Sequence, residues 1–344
     1  MKFTIFKIVL AFIVSVFWYD HVLAETSYIE AEPIVRKPPI YPSLEARSSN
    51  AGMVEVEMMI DKEGKIFAPI VIRSSSKAFE QSAINAVSKY EYKPALKNGS
   101  PVVSRASIRI RYEMTRQQDA VSRKFASIYK KALAELDSQS PNKMKLERLI
   151  SRLQKSDFTS TYTLVRYNLI LVRYAMLYES PYSQIQAIES LLVFDDVVAE
   201  RHRMLDEKIQ TQLRATLFSL LITTQRFSEA LALYDEYLID AGESDGVSYK
   251  ELADSIAALA DDDQVVATPI RLNGSGYTLE SLFKRTIALY DLEGAVSKLI
   301  FRCDSHYAEL PFNNEAEYKI PEGWGKCKIE IRGAAKTRAK LAQY

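Results

Sequence analysis

The sequence is poor in the residues that build metal sites and in uncompensated charge. It holds 2 cysteines, 3 histidines and 2 tryptophans in 344 residues and has no C-x-x-C pair, which argues against a zinc site. The 45 basic residues are balanced by 44 acidic ones. Because nucleic-acid-binding proteins usually have a basic excess, this balance argues against that class. We predict neither a cofactor nor a metal ion.

No segment assembles an obvious active site. The glycine-rich segment 273–276 lacks the Lys-Ser/Thr ending of a phosphate-binding loop, so we interpret it as a turn. The acidic run 261–263 lacks the interleaved spacing of a calcium loop and is interpreted as a linker. We expect His202 to be exposed in a charged helical stretch and His306 to lie in a loop. The sequence therefore favours a binding protein over an enzyme.

The N-terminus has the pattern of an export signal. Lys2 and Lys7 accompany an apolar run from Ile8 to Trp18, and a small residue, Ala24, precedes Glu25. This order predicts a secretory signal peptide over residues 1–24. The alternative is an uncleaved membrane anchor, since the 17 residues from Phe3 to Tyr19 are close to the shortest length that spans a bilayer. Both interpretations predict that the rest of the chain is exported.

Both cysteines, Cys303 and Cys327, lie near the C-terminus. In an oxidising compartment, a single pair within one small domain predicts a disulfide, although two buried free thiols are the alternative. Closing a loop of this length contributes about 3 kcal/mol in the chain-entropy model.

Strand patterns dominate residues 38–114. Apolar residues alternate with other residues from Met53 to Ile60, and again from Lys65 to Arg73, which is the period of a half-buried strand. The intervening segment 61–64 ends in glycine and predicts a hairpin turn. Residues 25–37, in front of this region, show no pattern and are expected to form a polar leader.

One helix and a last strand complete this region. Ser74 to Ser76 can cap a helix that begins with Phe79 and has apolar residues at helical spacing. After a turn at 98–99, alternation from Val102 to Tyr112 predicts a strand. A ββαβ unit of this size must pack its helix on one face of the sheet.

The rest of the chain changes character twice. Residues 115–262 have the apolar period of helices, with breaks at Ser180-Pro181 and at 223–226 that predict antiparallel helical hairpins. Residues 263–344 contain strand-like segments and both cysteines, although Leu279 to Tyr290 fits a short helix or a strand. We predict an α+β protein with an N-terminal ββαβ domain, central helical hairpins and a small, mostly-β C-terminal domain with one disulfide.

Residues 38–114 resemble the C-terminal domain of the TonB energy transducers. The resemblance rests on the order and spacing of a series of positions, since no single position is specific. These positions are Pro39, Tyr41, Pro42, Ala46, Gly52, Val54, Asp61, Gly64, Ser74, Ser75, Phe79, Ala83, Ala86, Pro94, Ala95, Gly99, Pro101 and Val102. The helical region looks like degenerate tetratricopeptide hairpins: Ala230 and Tyr234 fit, whereas Phe218 stands where a small residue is usual.

The resemblance implies a Gram-negative periplasm and peptide binding by strand addition. In the TonB family, a sheet edge accepts a short segment of an outer-membrane transporter, whose backbone then satisfies that of the edge. The last strand is the predicted edge here, with Arg105, Ile108, Arg109, Ile110 and Arg111 as its residues. Its arginines favour steering of an acidic partner, or protection of the edge against pairing. Exposed edges also permit a homodimer.

Three functional hypotheses follow from the sequence. An envelope interaction protein that binds a partner segment is favoured, because only residues 25–37 connect the first segment to the domain and reach about 45 Å when extended. The first alternative is an inner-membrane-anchored energy transducer that faces the periplasm. The second alternative is a ligand carrier or an enzyme built on the C-terminal domain.

Overall fold

A computed structural model describes residues 27–114, 121–156, 158, 160–197, 205–240, 243–244 and 247–344. The predicted signal peptide, His202 and residues 115–120 lie outside these ranges. None of the helices in the described ranges combines the length and the apolar character needed to cross a bilayer.

The first region is a small α+β unit. Its elements are β1 (Tyr28–Ile29), β2 (Glu32–Val35), α1 (Ser43–Ser48), β3 (Gly52–Ile60), β4 (Ile66–Ser74), α2 (Lys77–Val87), β5 (Glu91–Lys93), β6 (Ala95–Lys97), β7 (Ser100–Val102) and β8 (Ser104–Tyr112). The main sheet has the order β4-β3-β8, with antiparallel neighbours throughout. Two smaller sheets have the orders β1-β6-β7 and β2-β5.

Local chemistry accounts for the β3–β4 hairpin and for the start of α2. In the hairpin, the Asp61 carboxylate accepts from the amides of Glu63 and Lys65, and Gly64 takes φ +81°. A positive φ favours glycine at this turn. At α2, the Ser76 hydroxyl accepts from the Ala78 amide, which satisfies one of the unpaired amides of the first turn. The apolar side of α2 packs on one face of the sheet around Phe79.

Residues 25–37 were expected to form a polar leader without a pattern, and the described part of this segment contains two short strands. Within this segment β1 pairs with β6 and β2 pairs with β5. Both strands are short and largely exposed, so they lack the alternation of apolar residues by which strands are recognised from sequence.

The second region is helical. Its elements are α3 (Arg123–Leu136), α4 (Lys143–Gln154), α5 (Thr161–Tyr178), α6 (Pro181–Val197), α7 (Glu207–Thr223), α8 (Phe227–Leu233), which continues as a π-helical turn (Tyr234–Leu238), a short hairpin of β9 (Glu243–Ser244) and β10 (Val247–Ser248), and α9 (Tyr249–Ala258). The expected breaks at Ser180-Pro181 and at 223–226 separate α5 from α6 and α7 from α8. Apolar side chains of α5 to α9 share one core.

The third region is a β-sandwich. Its strands are β11 (Val266–Arg271), β12 (Tyr277–Ser281), β13 (Thr286–Glu293), β14 (Val296–Cys303), β15 (Tyr307–Pro311), β16 (Tyr318–Lys319), β17 (Cys327–Gly333) and β18 (Arg338–Gln343). They form two sheets, in the orders β11-β18-β13-β16 and β12-β17-β14-β15. The segment Leu279 to Tyr290 therefore contributes strands and not a helix.

The predicted α+β arrangement and the predicted disulfide are confirmed. Cys303 and Cys327 are bonded and lie opposite each other on β14 and β17. Both are buried in the core of the sandwich, where they link neighbouring strands of one sheet.

The helical region and the sandwich both pack closely against the main sheet of the first region. Strand β3 was expected to be half-buried, but both of its faces are covered and only Glu55 keeps partial exposure. Val54 and its even-numbered neighbours face α2, whereas Met53 joins the core of the helical region. Glu57, which is 1% exposed, bonds to Lys328 of the sandwich with an Oε2 to Nζ distance of 2.8 Å. The sheet is thus the layer to which the other two regions are attached.

Candidate partner-binding edge

The strand predicted to bind a partner, β8, is an edge strand. Among the described residues, β3 is the only strand that pairs with it. The direction of its backbone groups follows from the β3–β4 ladder, in which the amide of Ser75 donates to the carbonyl of Met53 and that of Asp61 to the carbonyl of Lys65. Odd-numbered residues of β3 therefore face β4 and even-numbered ones face β8, because these groups alternate along an antiparallel strand.

This alternation divides the five predicted edge residues into two sets. Ile108 and Ile110 lie opposite Val56 and Val54 and direct their backbone groups to β3. Their side chains lie on the α2 side of the sheet. The backbone groups of Ile108 and Ile110 therefore do not face a partner, which corrects that part of the prediction. Arg105, Arg109 and Arg111 direct their backbone groups away from β3.

Sequence reasoning missed Ser107, which has the same orientation as the arginines. Its side chain is exposed, and its amide and carbonyl point away from β3. The register of the ladder was needed to find it, because a serine in an alternating strand carries no distinctive signal.

The arginines of β8 form ion pairs within the chain. Arg105 lies 3.0 Å from Asp304 (Nη2 to Oδ1) and 3.9 Å from Glu57. Arg109 lies 3.3 Å from Glu55 across the strand pair. These carboxylates compensate the positive charges, which weakens the hypothesis that the arginines steer an acidic partner.

Neighbouring regions leave a short accessible length of β8. The sandwich contacts its start through Arg105, and Arg111 lies 3.8 Å from Glu113, which also accepts hydrogen bonds from the amide and hydroxyl of Thr161 at the start of α5. The stretch from Ser107 to Arg111 lies between these contacts, with Ser107, Arg109 and Arg111 exposed. It is about 17 Å long.

The opposite edge of the sheet, β4, is covered by side chains of the sandwich. Arg302 donates to the carbonyl of Ala68 at 2.7 Å, and the Tyr277 hydroxyl donates to that of Val71 at 2.8 Å. Pro69 offers no amide, and Ala68 has φ +47°, so β4 is also irregular. An added strand therefore fits β8 better than β4.

The predicted motif residues build the domain and do not line its edge. Tyr41 packs edge-on against Phe79 and Tyr112, with ring centroids 5.9 and 5.7 Å apart. A Cβ on Gly52 would lie 2.2 Å from the Phe79 ring, so glycine is needed for this contact.

The remaining motif residues are at turns and element ends. Pro42 immediately precedes α1, and Pro94 separates β5 from β6. Asn98 and Gly99 both have positive φ and form the tight turn between β6 and β7. The motif therefore specifies the fold of the domain.

The remaining predicted candidates make structural contacts. His306 lies in a loop and stacks on Trp324 with ring centroids 4.0 Å apart, and burial lowers the pKa of its imidazole. The segment 273–276 forms a turn in which the Asn273 side chain accepts from the amides of Ser275 and Tyr277. In the ranges that the structure describes, no group of three or more His, Cys, Asp or Glu side chains is placed to hold a metal ion.

The sequence model of one protein family, the C-terminal region of the Gram-negative bacterial TonB protein, matches residues 37–114. These residues form a TonB C-terminal domain. A solution structure of the Pseudomonas aeruginosa TonB C-terminal domain is 24% identical, with a TM-score of 0.23; the match covers 25% of this chain and 88% of that one. No curated protein matches the chain.

Proposed function

We propose that this protein is an interaction protein of the bacterial envelope that binds an extended segment of a partner protein by strand addition to β8. The observation that carries the proposal is that β8 is accessible from Ser107 to Arg111, whereas the sandwich covers the opposite edge of the sheet, β4. A segment added there would bond to outward-facing backbone groups, such as those of Ser107.

The TonB C-terminal domain supports an exported protein that faces the periplasm and takes part in transport across the outer membrane. The helical hairpins and the sandwich then serve as an attached platform, and the tetratricopeptide-like character of the helices remains part of this proposal. The proposed role is binding and involves no catalytic step.

A photo-crosslinking amino acid at position 107 of the full-length chain, irradiated in intact cells, would capture the partner, and mass spectrometry would locate the crosslinked segment. The corresponding synthetic peptide is then titrated against Ser107→Pro and its matched control, Ser107→Ala. Proline removes the outward amide and leaves the β3–β8 ladder intact, so both variants are expected to fold.

We expect the peptide to bind Ser107→Ala as it binds the unmodified protein, and Ser107→Pro about tenfold more weakly, since one backbone hydrogen bond contributes about 1 kcal/mol and the ring adds a clash. Equal affinity for the two variants would contradict strand addition at β8. Circular dichroism and thermal unfolding of both variants serve as the folding control.

A further inference from the structure

The three regions of the chain enclose a cleft of about 1580 Å³. Its walls come from β4 of the TonB C-terminal domain, from α6 and α8 of the helical region, and from β11 and β12 of the sandwich. Polar and charged side chains face it from each wall. Every residue of β12, from Tyr277 to Ser281, lines it.

An ionic network holds two of these walls together. Glu189 of α6 lies 2.9 Å from Arg73 of β4 (Oε2 to Nη2) and 3.8 Å from Arg226, just before α8. Arg226 also binds Glu229, and Arg73 lies 3.9 Å from Glu55. These side chains form ion pairs with one another, so the network fixes the shape of the cleft.

Strand β12 presents unpaired backbone to the cleft. Its only strand partner in the described part of the chain is β17. The amide of Leu282 donates to Cys327, and the carbonyl of Gly276 accepts from Gly333, so even-numbered residues face β17. Odd-numbered residues face away. The Tyr277 amide donates to the Asn273 side chain, and the Tyr277 carbonyl accepts from the Asn273 amide. The backbone amides and carbonyls of Leu279 and Ser281 have no partners among the described residues.

Glu280 places a carboxyl group without a counter-ion on the same stretch. Its carboxylate accepts from the Thr278 hydroxyl at 2.7 Å, and none of the cations that the structure describes lies within ion-pair distance. Glu229 and Arg226 line the cleft with it, and the arginine is already bound to two other carboxylates. Tyr182 of α6 lines the cleft together with Glu280.

We propose that this cleft is a second peptide-binding site, in which an extended segment pairs with β12 at Leu279 and Ser281 and places a lysine or arginine side chain beside Glu280 and Tyr182. The free edge provides the backbone bonds, the carboxylate compensates the cation, and the tyrosine ring offers its face. Ser107 of β8 also lines the cleft, whereas Arg111 does not. The proposed contacts with β12 and Glu280 hold or fail independently of the function proposed for β8.

A random heptapeptide phage library panned on the full-length protein tests this site. Enriched peptides are synthesised, and their affinities are measured by fluorescence anisotropy. We expect the enriched peptides to share one lysine or arginine. Leu279→Pro, which removes an outward amide and no ladder bond, should weaken binding about tenfold or more, whereas Leu279→Ala should leave it within about threefold. Glu280→Gln should weaken it about tenfold, since it removes the charge and keeps the shape.

Two controls separate this site from others. Arg111→Pro, which removes an outward amide of β8 outside the lining of the cleft, should leave these affinities unchanged. N-methylation of the peptide backbone should abolish binding at alternate positions only, as in a paired strand. If Leu279→Pro does not fold, Glu280→Gln and the N-methyl series decide. The proposal is overturned if no peptide is enriched, if the enriched peptides lack a shared basic residue, if Glu280→Gln binds them normally, or if only Arg111→Pro weakens them.

Discussion

Arg302 and Glu330 form a buried ion pair between neighbouring strands of the sandwich, with 2.7 Å between Nε and Oε2 and at most 1% of either side chain exposed. The same guanidinium donates through Nη2 to the carbonyl of Ala68 in the TonB C-terminal domain at 2.7 Å. One side chain therefore neutralises a buried carboxylate and also satisfies a carbonyl on the edge of another domain.

Removal of the Arg302 cation should be strongly destabilising. In Arg302→Met, Glu330 stays buried with Arg332 as its one remaining counter-ion among the described residues, and the carbonyl of Ala68 loses its donor. We expect the free energy of unfolding to fall by about 3–5 kcal/mol, which is the usual effect of breaking a buried pair from one side. Urea titration followed by circular dichroism measures it.

The double variant Arg302→Met/Glu330→Gln supplies the control. Because it removes the buried negative charge as well, it should recover part of the loss. The single variant Glu330→Gln completes the comparison. If the double variant loses as much free energy of unfolding as the two single variants together, the pair is not coupled.

The elements of the TonB C-terminal domain were largely predictable, because local patterns specify them. Alternation in β3 and β8, the glycine of the first hairpin and the serine cap of α2 each depend on residues close in sequence. The same holds for the breaks between helices. The leader was missed since β1 and β2 are too short for a period to show.

The candidate sites were less predictable, because they depend on distant contacts. Nothing near Glu57 indicates that Lys328 covers it, so β3 had the pattern of a half-buried strand. The cleft depends in the same way on residues of three regions that lie far apart in the sequence. Even the orientation of Ser107 required the register between strands.

Gly64 and Gly99 form a matched pair that separates backbone conformation from crowding. Both have positive φ, at +81° and +76°. A Cβ on Gly64 would lie 1.7 Å from the carbonyl oxygen of Tyr92, whereas one on Gly99 would meet nothing within 4 Å. We expect Gly99→Ala to cost about 1 kcal/mol, from the left-handed backbone alone.

Gly64→Ala should cost about 3 kcal/mol or more, since the backbone must also move to relieve the clash. Thermal unfolding of the two variants side by side measures the difference. Equal losses would mean that the contact between Gly64 and Tyr92 relaxes without cost.

Glu280 should make the protein less stable as the pH rises. Burial, followed by the charge of Glu229, raises the pKa of its carboxyl from 4.5 to about 7, against the opposing effects of Thr278 and Arg226. The folded state therefore holds this proton more tightly than the unfolded state. The resulting stabilisation is complete below pH 4.5 and is lost as the pH passes through about 7.

Glu280→Gln isolates this effect, because the amide resembles the protonated acid at every pH. We expect the variant to match the unmodified protein near pH 4.5 and to exceed it at pH 8 by up to about 3 kcal/mol. Urea titrations of both proteins from pH 4.5 to 8 measure the difference, and other titrating groups cancel in the comparison. Parallel stability curves would show that Glu280 is as well solvated in the cleft as in the unfolded chain.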